Sequence, residues 1–135
     1  MPRPSVFACF LCPLIGAILL VHQRRGKWSL PGGRRYASEN AMTALRREVR
    51  EETSFVLPAE AQPEHSWQIR RRWRKRGRDA VVFLFRHRPE VVAAAEIDAV
   101  GWFALDSLPP EVTRTALAAV RECRRLPEVL AEQVA

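Results

Sequence analysis

The chain has 135 residues and a net charge of +7, with 22 Lys and Arg against 15 Asp and Glu. Its apolar fraction of 47% and charged fraction of 27% are ordinary for a globular protein and argue against global disorder. This length predicts one domain, residues 1–135, and three cysteines are too few for a disulfide framework, which favours a reducing cytoplasm.

The first predicted elements lie in an uncharged apolar run, residues 5–21, which is at the short limit for a membrane-spanning helix. Pro13 and Gly16 interrupt this run, so two buried strands joined by a short turn explain it more simply. Cys9 and Cys12 form a C-x-x-C pair, but a zinc site would need a second pair or histidines at ligand spacing. We therefore expect buried thiols and no membrane association.

A helix is predicted after the polar, glycine-bearing loop of residues 22–35. Ser38 is the expected N-cap, and Glu39 in the first turn would suit the helix dipole. From there to Thr53 the chain contains no Gly or Pro, and apolar residues recur at helical spacing, namely Met42, Leu45 and Val49.

The second half of the chain predicts a hairpin, a strand and a helix. The hairpin arms are expected at about residues 67–74 and 80–87, with the turn at Gly77. A short strand follows at about residues 100–104, and a terminal helix begins at about Thr113, after two prolines. This mixture of strands and helices predicts an α+β or α/β fold.

Three carboxylates stand close together on the first predicted helix, those of Glu48, Glu51 and Glu52. Their spacing of i, i+3 and i+4 places them within about 100° of one face, where like charges repel by roughly a few tenths of a kcal/mol per pair. One interpretation is a solvated acidic face, relieved by the neighbouring Arg46, Arg47 and Arg50. The other is a site for a hard divalent cation such as Mg²⁺, which prefers oxygen ligands and binds substrate phosphates as well.

The register of these carboxylates with the upstream glycine loop resembles the Nudix box, G-x5-E-x7-R-E-U-x-E-E-x-G-U, in which U is a bulky apolar residue. The chain matches this pattern from Gly33 to Phe55, with Ser54 in place of the last Gly. The segments KWSLPGG before the box and EIDAVGWFALDSLP after it are also similar to the family's flanking segments. At Ser54 we expect one of two outcomes. Either the serine adopts the left-handed conformation, which costs a non-glycine residue roughly 1 kcal/mol, or the helix ends differently.

The resemblance implies the Nudix fold, an α/β/α sandwich with a mixed β-sheet. It implies Mg²⁺-dependent or Mn²⁺-dependent hydrolysis of a nucleoside diphosphate linked to another group. The implied metal ligands are the Gly32 carbonyl and the side chains of Glu48, Glu51 and Glu52. Arg47 would pair with Glu39 and orient the glutamates, and Glu48 is the candidate general base. Glu96 resembles a further metal ligand of some members, and an exposed acid at a strand edge is the alternative.

Seven of the nine residues from Arg70 to Arg78 are basic, at the expected hairpin tip. We interpret this segment as exposed, with some arginines facing an anionic substrate. The substrate-binding candidates are Arg72 and Arg74, together with Arg34 and Arg35 of the glycine loop. A purely solvated tip and a nucleic-acid contact, with tryptophans stacking on bases, are the less favoured alternatives.

The box does not select a substrate, because specificity in this family depends on loops outside it. Compact size and the basic tip favour a small anionic nucleotide, a nucleoside triphosphate, over ADP-ribose or a dinucleotide. The competing class is a module that binds a nucleotide or RNA without turnover, and the complete carboxylate set argues against it. The oligomeric state is left open between monomer and homodimer.

Overall fold

The computed structural model describes residues 4–12, 14–24, 26–70, 79–94 and 97–127. Within these ranges the chain forms seven strands and two helices. The strands are β1 (Ser5–Cys12), β2 (Ala17–Gln23), β3 (Trp28–Ser29), β4 (Gly32–Gly33), β5 (His65–Ile69), β6 (Ala80–Phe85) and β7 (Ile97–Ala104). The helices are α1 (Ala41–Thr53) and α2 (Arg114–Arg124).

The strands form one mixed sheet built around β1. Strand β1 pairs in parallel with β6 and antiparallel with β2, close to the turn that joins β1 to β2. Strand β7 pairs with the other side of β2, and β5 pairs antiparallel with β6 at the opposite edge. The short strands β3 and β4 pair with the ends of β2 and β1, which holds the glycine loop against the sheet.

The two helices cover opposite faces of this sheet, because successive side chains of a strand point to opposite faces. Val6, Ala8 and Phe10 of β1 are buried in the cluster that contains the apolar face of α1. Cys9 and Leu11 of the same strand are buried in the cluster that contains α2. The expected α/β/α sandwich with a mixed sheet is therefore confirmed.

The apolar run at the start of the chain forms strands β1 and β2, as predicted. The exposed turn between them includes Leu14 and Ile15, while the strand residues on either side are buried. The cysteines are also buried, and the Cys9 sulfur lies 3.5 Å from that of Cys123 without forming a disulfide. Neither described helix has the length and apolar content that a membrane crossing requires.

The predicted start of the first helix is wrong by two residues. The N-cap is Asn40, whose side-chain oxygen accepts a hydrogen bond from the Thr43 N–H at 2.9 Å, and not Ser38. Glu39 therefore precedes the helix and is not in its first turn. Asn and Ser are almost equally good N-caps, so residue type alone does not select between them. The Glu39 carboxylate is bound by Arg47 and by the Tyr36 N–H, and these contacts keep Glu39 outside the helix.

The hairpin is present, and its first arm lies nearer the N-terminus than predicted. Strand β5 begins at His65 and ends at Ile69, and Ile69 pairs with Ala80. His65 is exposed, so side-chain alternation gives no signal for the start of this edge strand, which backbone pairing alone determines. Most of the basic tip, residues 71–78, lies outside the described residues. The helix expected from about Thr113 is confirmed, with Thr113 as its N-cap.

Helix α1 ends at Ser54 in the left-handed conformation that the missing glycine of the box would adopt easily. Ser54 has φ 63° and ψ 0°, and its N–H donates to the Arg50 carbonyl at 2.9 Å. The first of the two expected outcomes is therefore observed: Ser54 itself takes the left-handed conformation.

We predict that Ser54→Gly raises the free energy of unfolding by about 0.5–1 kcal/mol. Relief of the left-handed backbone is worth roughly 1–2 kcal/mol, and part of it is offset by the greater entropy of glycine in the unfolded chain. Urea unfolding measures the difference, with Ser54→Ala as the control, since alanine keeps the left-handed strain. Equal stability of the Gly and Ala variants would contradict this account.

Candidate active site

Two glycines bring the backbone of β4 against the carboxylates of α1. A Cβ on Gly32 would lie 2.2 Å from the Val6 carbonyl oxygen, and Gly32 has a φ of 149°, so only glycine fits there. A Cβ on Gly33 would lie 2.9 Å from the carboxylate carbon of Glu48. The absence of a side chain at Gly33 thus makes the space in which the Glu48 carboxylate lies.

Arg47 is the centre of a hydrogen-bond network that uses all five of its N–H groups. Its Nε donates to Glu39 Oε2 at 2.7 Å, and its Nη2 donates to Glu39 Oε1 at 2.9 Å. A second Nη2 bond reaches the Arg34 carbonyl at 2.9 Å. Its Nη1 donates to Glu48 Oε1 at 3.0 Å and to Glu51 Oε2 at 3.5 Å. A planar guanidinium is the only side chain with five donors in this arrangement.

The loop between the glycines and the helix is folded around this ion pair. The Tyr36 N–H donates to Glu39 Oε1 at 2.8 Å, and the Tyr36 ring lies over the Arg47 guanidinium at 3.8 Å. Arg35 donates from Nη2 to the Glu39 carbonyl at 2.9 Å. Hydrogen bonds from Arg47 lower the pKa of Glu39 to about 2, and the same contact raises the pKa of Arg47.

Glu52 is a buried carboxylate with neutral hydrogen-bond partners. It is 8% exposed, and its oxygens accept from the Gly32 N–H at 2.7 Å and from the Gln23 amide at 2.9 Å. No basic side chain among the described residues forms an ion pair with it. Burial raises the pKa of Glu52 to about 7, although both hydrogen bonds oppose that shift. The carboxylates of Glu48 and Glu51 raise it further.

The three glutamates of α1 occupy different environments. Glu52 faces the sheet, and Glu48 is half-buried beside Gly33, where burial raises its pKa despite the contact with Arg47. The side chain of Glu51 is 51% exposed. The three carboxylates therefore share the predicted face of the helix but differ in exposure, from the buried Glu52 to the exposed Glu51.

These residues fit a hard divalent cation in the kind of donor that they offer. All the candidate ligands are oxygens, and a buried carboxylate without a basic partner favours a bound cation. Their positions fit less well, since no three His, Cys, Asp or Glu side chains within the described ranges converge as a metal-binding group. Glu48 Oε1 accepts from Arg47, and Glu52 accepts from Gln23 and Gly32, so a cation shared by the two carboxylates would bind at the lone pairs that these hydrogen bonds leave free.

The structure brings together most of the residues that the sequence selected, which are Gly32, Glu39, Arg47, Glu48, Glu51 and Glu52. The expected Arg47–Glu39 ion pair is present. Arg34 is exposed, whereas the Arg35 guanidinium donates a hydrogen bond to the Glu39 carbonyl. The other three candidates, Arg72, Arg74 and Glu96, lie outside the described residues.

Sequence reasoning missed Gln23, Gly33 as a contact of Glu48, and Tyr36. Gln23 ends β2, and only the pairing of the strands brings it to Glu52. The Tyr36 contact depends on the path of the loop. The one available signal was the glycine pair, since two successive glycines before a helix indicate a close backbone approach.

A comparison with known proteins agrees with this geometry. The protein-family model of the NUDIX domain matches residues 1–124. The protein belongs to the Nudix family. The family match confirms the resemblance that the box indicated, with Ser54 accommodated at the helix end.

Nudix proteins of known structure share the fold. A MutT NUDIX hydrolase from Burkholderia pseudomallei is 28% identical, with a TM-score of 0.74, over 90% of this chain and 97% of that one. The MutT protein from Methanosarcina mazei Go1 is 23% identical, with a TM-score of 0.68, over 93% and 99% of the two chains. An ADP-ribose pyrophosphatase from Streptococcus suis is 25% identical, with a TM-score of 0.62, over 94% and 95%. No curated protein matches significantly. The expected class, a Nudix pyrophosphohydrolase, is supported by the family and these neighbours.

We predict that Arg47→Lys lowers the free energy of unfolding by about 1–2 kcal/mol, because lysine keeps the charge but cannot form the planar fork. Arg50→Lys is the matched control on the same helix, and it should change stability by less than about 0.5 kcal/mol, since Arg50 is exposed. Chemical unfolding of both variants measures the difference. Equal losses would show that charge alone, and not the fork, stabilises this helix.

Proposed function

We propose that the protein is a divalent-metal-dependent pyrophosphohydrolase that cleaves the diphosphate linkage of a nucleoside diphosphate derivative. The observation that carries this proposal is the environment of Glu52, a buried carboxylate with only neutral described partners, next to Glu48 and Glu51. A buried charge of this kind is costly unless a cation balances it. A purely solvated acidic face would not bury one of its members.

The residues that would hold Mg²⁺ or Mn²⁺ are three glutamates and one carbonyl, those of Glu48, Glu51, Glu52 and Gly32. Glu96 is proposed as a further ligand on the sequence pattern alone. When bound, the metal would neutralise charge on the diphosphate and lower the pKa of the attacking water.

The protein's own groups then account for proton transfer and orientation. Glu48 Oε1 accepts from Arg47, and no described residue donates to Glu48 Oε2. We therefore assign Oε2 of Glu48 as the atom that takes the proton from water. Arg47 is bound on its whole perimeter by protein oxygens, so it orients Glu48 and Glu51 and does not bind phosphate.

The proposed phosphate contacts are arginines around this site. Arg34 is exposed and its carbonyl accepts from Arg47, which makes it the best placed of the described candidates. Arg35, Arg72 and Arg74 are the other candidates. The proposed substrate is a nucleoside triphosphate, with ADP-ribose or a dinucleotide as the alternative, and one of the structural neighbours is an ADP-ribose pyrophosphatase. Three unpaired buried cysteines accord with a cytoplasmic location.

We predict that Glu52→Gln lowers kcat by at least about 100-fold, because removing one charge from the metal site weakens both metal binding and charge stabilisation. Glu60→Gln is the control, since Glu60 is exposed outside the site. Turnover and Mn²⁺ binding are measured on the same samples. A Glu52→Gln variant with full turnover would reject the proposed metal site.

We predict that a panel of nucleotides assayed with Mg²⁺ or Mn²⁺ gives the highest kcat/KM for a nucleoside triphosphate. The reason is that a compact site with several arginines stabilises the most highly charged substrate best. Released phosphate is scored against pyrophosphate, with ADP-ribose and dinucleotides in the same panel. A higher kcat/KM for ADP-ribose than for every triphosphate would reject the substrate and leave the metal site intact.

A further inference from the structure

Tyr36 covers one face of the Arg47 guanidinium. The guanidinium carbon lies 3.8 Å from the centroid of the Tyr36 ring. All five N–H groups of Arg47 point outward to carboxylate and carbonyl oxygens. A planar cation whose donors are all bound in its plane has only its two faces left for contact. Tyr36 occupies one of these faces.

The ring is held in that position by a closed circuit of contacts. The Tyr36 N–H donates to Glu39 Oε1 at 2.8 Å, and the Glu39 N–H donates to the Tyr36 carbonyl at 3.0 Å. Glu39 in turn accepts two hydrogen bonds from Arg47. Each of the three residues therefore contacts the other two, so the positions of the ring and the guanidinium depend on each other.

Apolar packing does not explain this placement. Tyr36 is 58% exposed, and neither hydrophobic core cluster includes it. Its described contacts are with Glu39 and Arg47. The contribution of Tyr36 to core packing is consequently small. Any effect of its ring on the site is transmitted through the contact with Arg47.

We propose that Tyr36 is a positioning residue, whose ring keeps the Arg47 guanidinium in the plane from which it orients Glu48 and Glu51. This inference rests on the proposed function, because those two carboxylates are among the proposed metal ligands. The Nη1 bonds to them, at 3.0 and 3.5 Å, are the longest that Arg47 makes. They are the first to weaken when the guanidinium tilts, since hydrogen bonds at this length tolerate little misalignment.

The test compares Tyr36→Leu, which removes the ring, with Tyr36→Phe, which keeps it. Ser38→Ala is the control for any change in the same loop, because Ser38 is exposed. Three quantities are measured on each protein: the NMR shift of the Arg47 Nε–H proton, the Mn²⁺ dissociation constant by calorimetry, and kcat with KM. The melting temperature is recorded to exclude unfolding.

We expect Tyr36→Leu to raise the Mn²⁺ dissociation constant by about three- to tenfold, the size expected from one partly exposed cation–π contact. We expect kcat to fall with little change in KM, and the ring-current shift of the Arg47 proton to disappear. Tyr36→Phe and Ser38→Ala should match the wild type in all three measurements.

Two results would overturn the inference. If the Arg47 proton shift disappears in Tyr36→Leu while the Mn²⁺ dissociation constant and kcat stay unchanged, the ring does not position the carboxylates, and the proposed function stands. If the wild-type protein itself binds no Mn²⁺ and hydrolyses no nucleotide, the proposed function fails, and the positioning role fails with it.

Discussion

The arrangement of this site depends on one planar cation, the Arg47 guanidinium, among four carboxylates. Three glutamates on adjacent turns of a helix repel one another, and Glu39 adds a fourth negative charge. Arg47 contacts three of these four carboxylates directly. Its remaining N–H group donates to the Arg34 carbonyl. A lysine would supply the same charge at a single point, without the directions that separate these groups. The Glu39 ion pair, the contact with the Arg34 carbonyl and the orientation of Glu48 all involve this one fork.

The same helix gives its glutamates unequal surroundings, and the reason is its position on the sheet. Val49 is fully buried, and a residue three positions later lies only about 60° away around the helix, so Glu52 is turned towards the sheet. Glu51 lies on the outer side of the helix, and Glu48 meets the space left by Gly33. Arginine lowers the pKa of Glu39, whereas burial raises that of Glu52. Within one network, carboxyl groups are thus tuned in opposite directions by contact and by desolvation.

The sequence predicted the parts of this structure that depend on short periodic patterns. Helix α1 and the shared face of its carboxylates follow from helical spacing, and the β1–β2 hairpin follows from an apolar run that Pro13 and Gly16 interrupt. The helix was predicted to start two residues too early, since Ser38 and Asn40 are equivalent N-caps and only the contacts of Glu39 decide between them. Gln23 and Tyr36 were not predictable, because strand pairing and loop path bring them to the site from outside the helix. Residues 71–78 and Glu96 lie outside the described part of the chain, so those expectations stay predictions.

The charge distribution explains why a basic protein keeps a buried acid. Glu39, Glu48 and Glu51 all contact the Arg47 guanidinium, so their charges are partly balanced within the protein. Glu52 has amide donors instead, and two neutral hydrogen bonds do not replace the water lost by a carboxylate at 8% exposure. Burial therefore disfavours the charged form of Glu52 and raises its pKa to about 7, at the point where the glycine loop meets the helix. A ligand that brings positive charge there stabilises the fold by mass action as it binds. Local destabilisation of this kind is typical of functional sites, where stability is given up for binding.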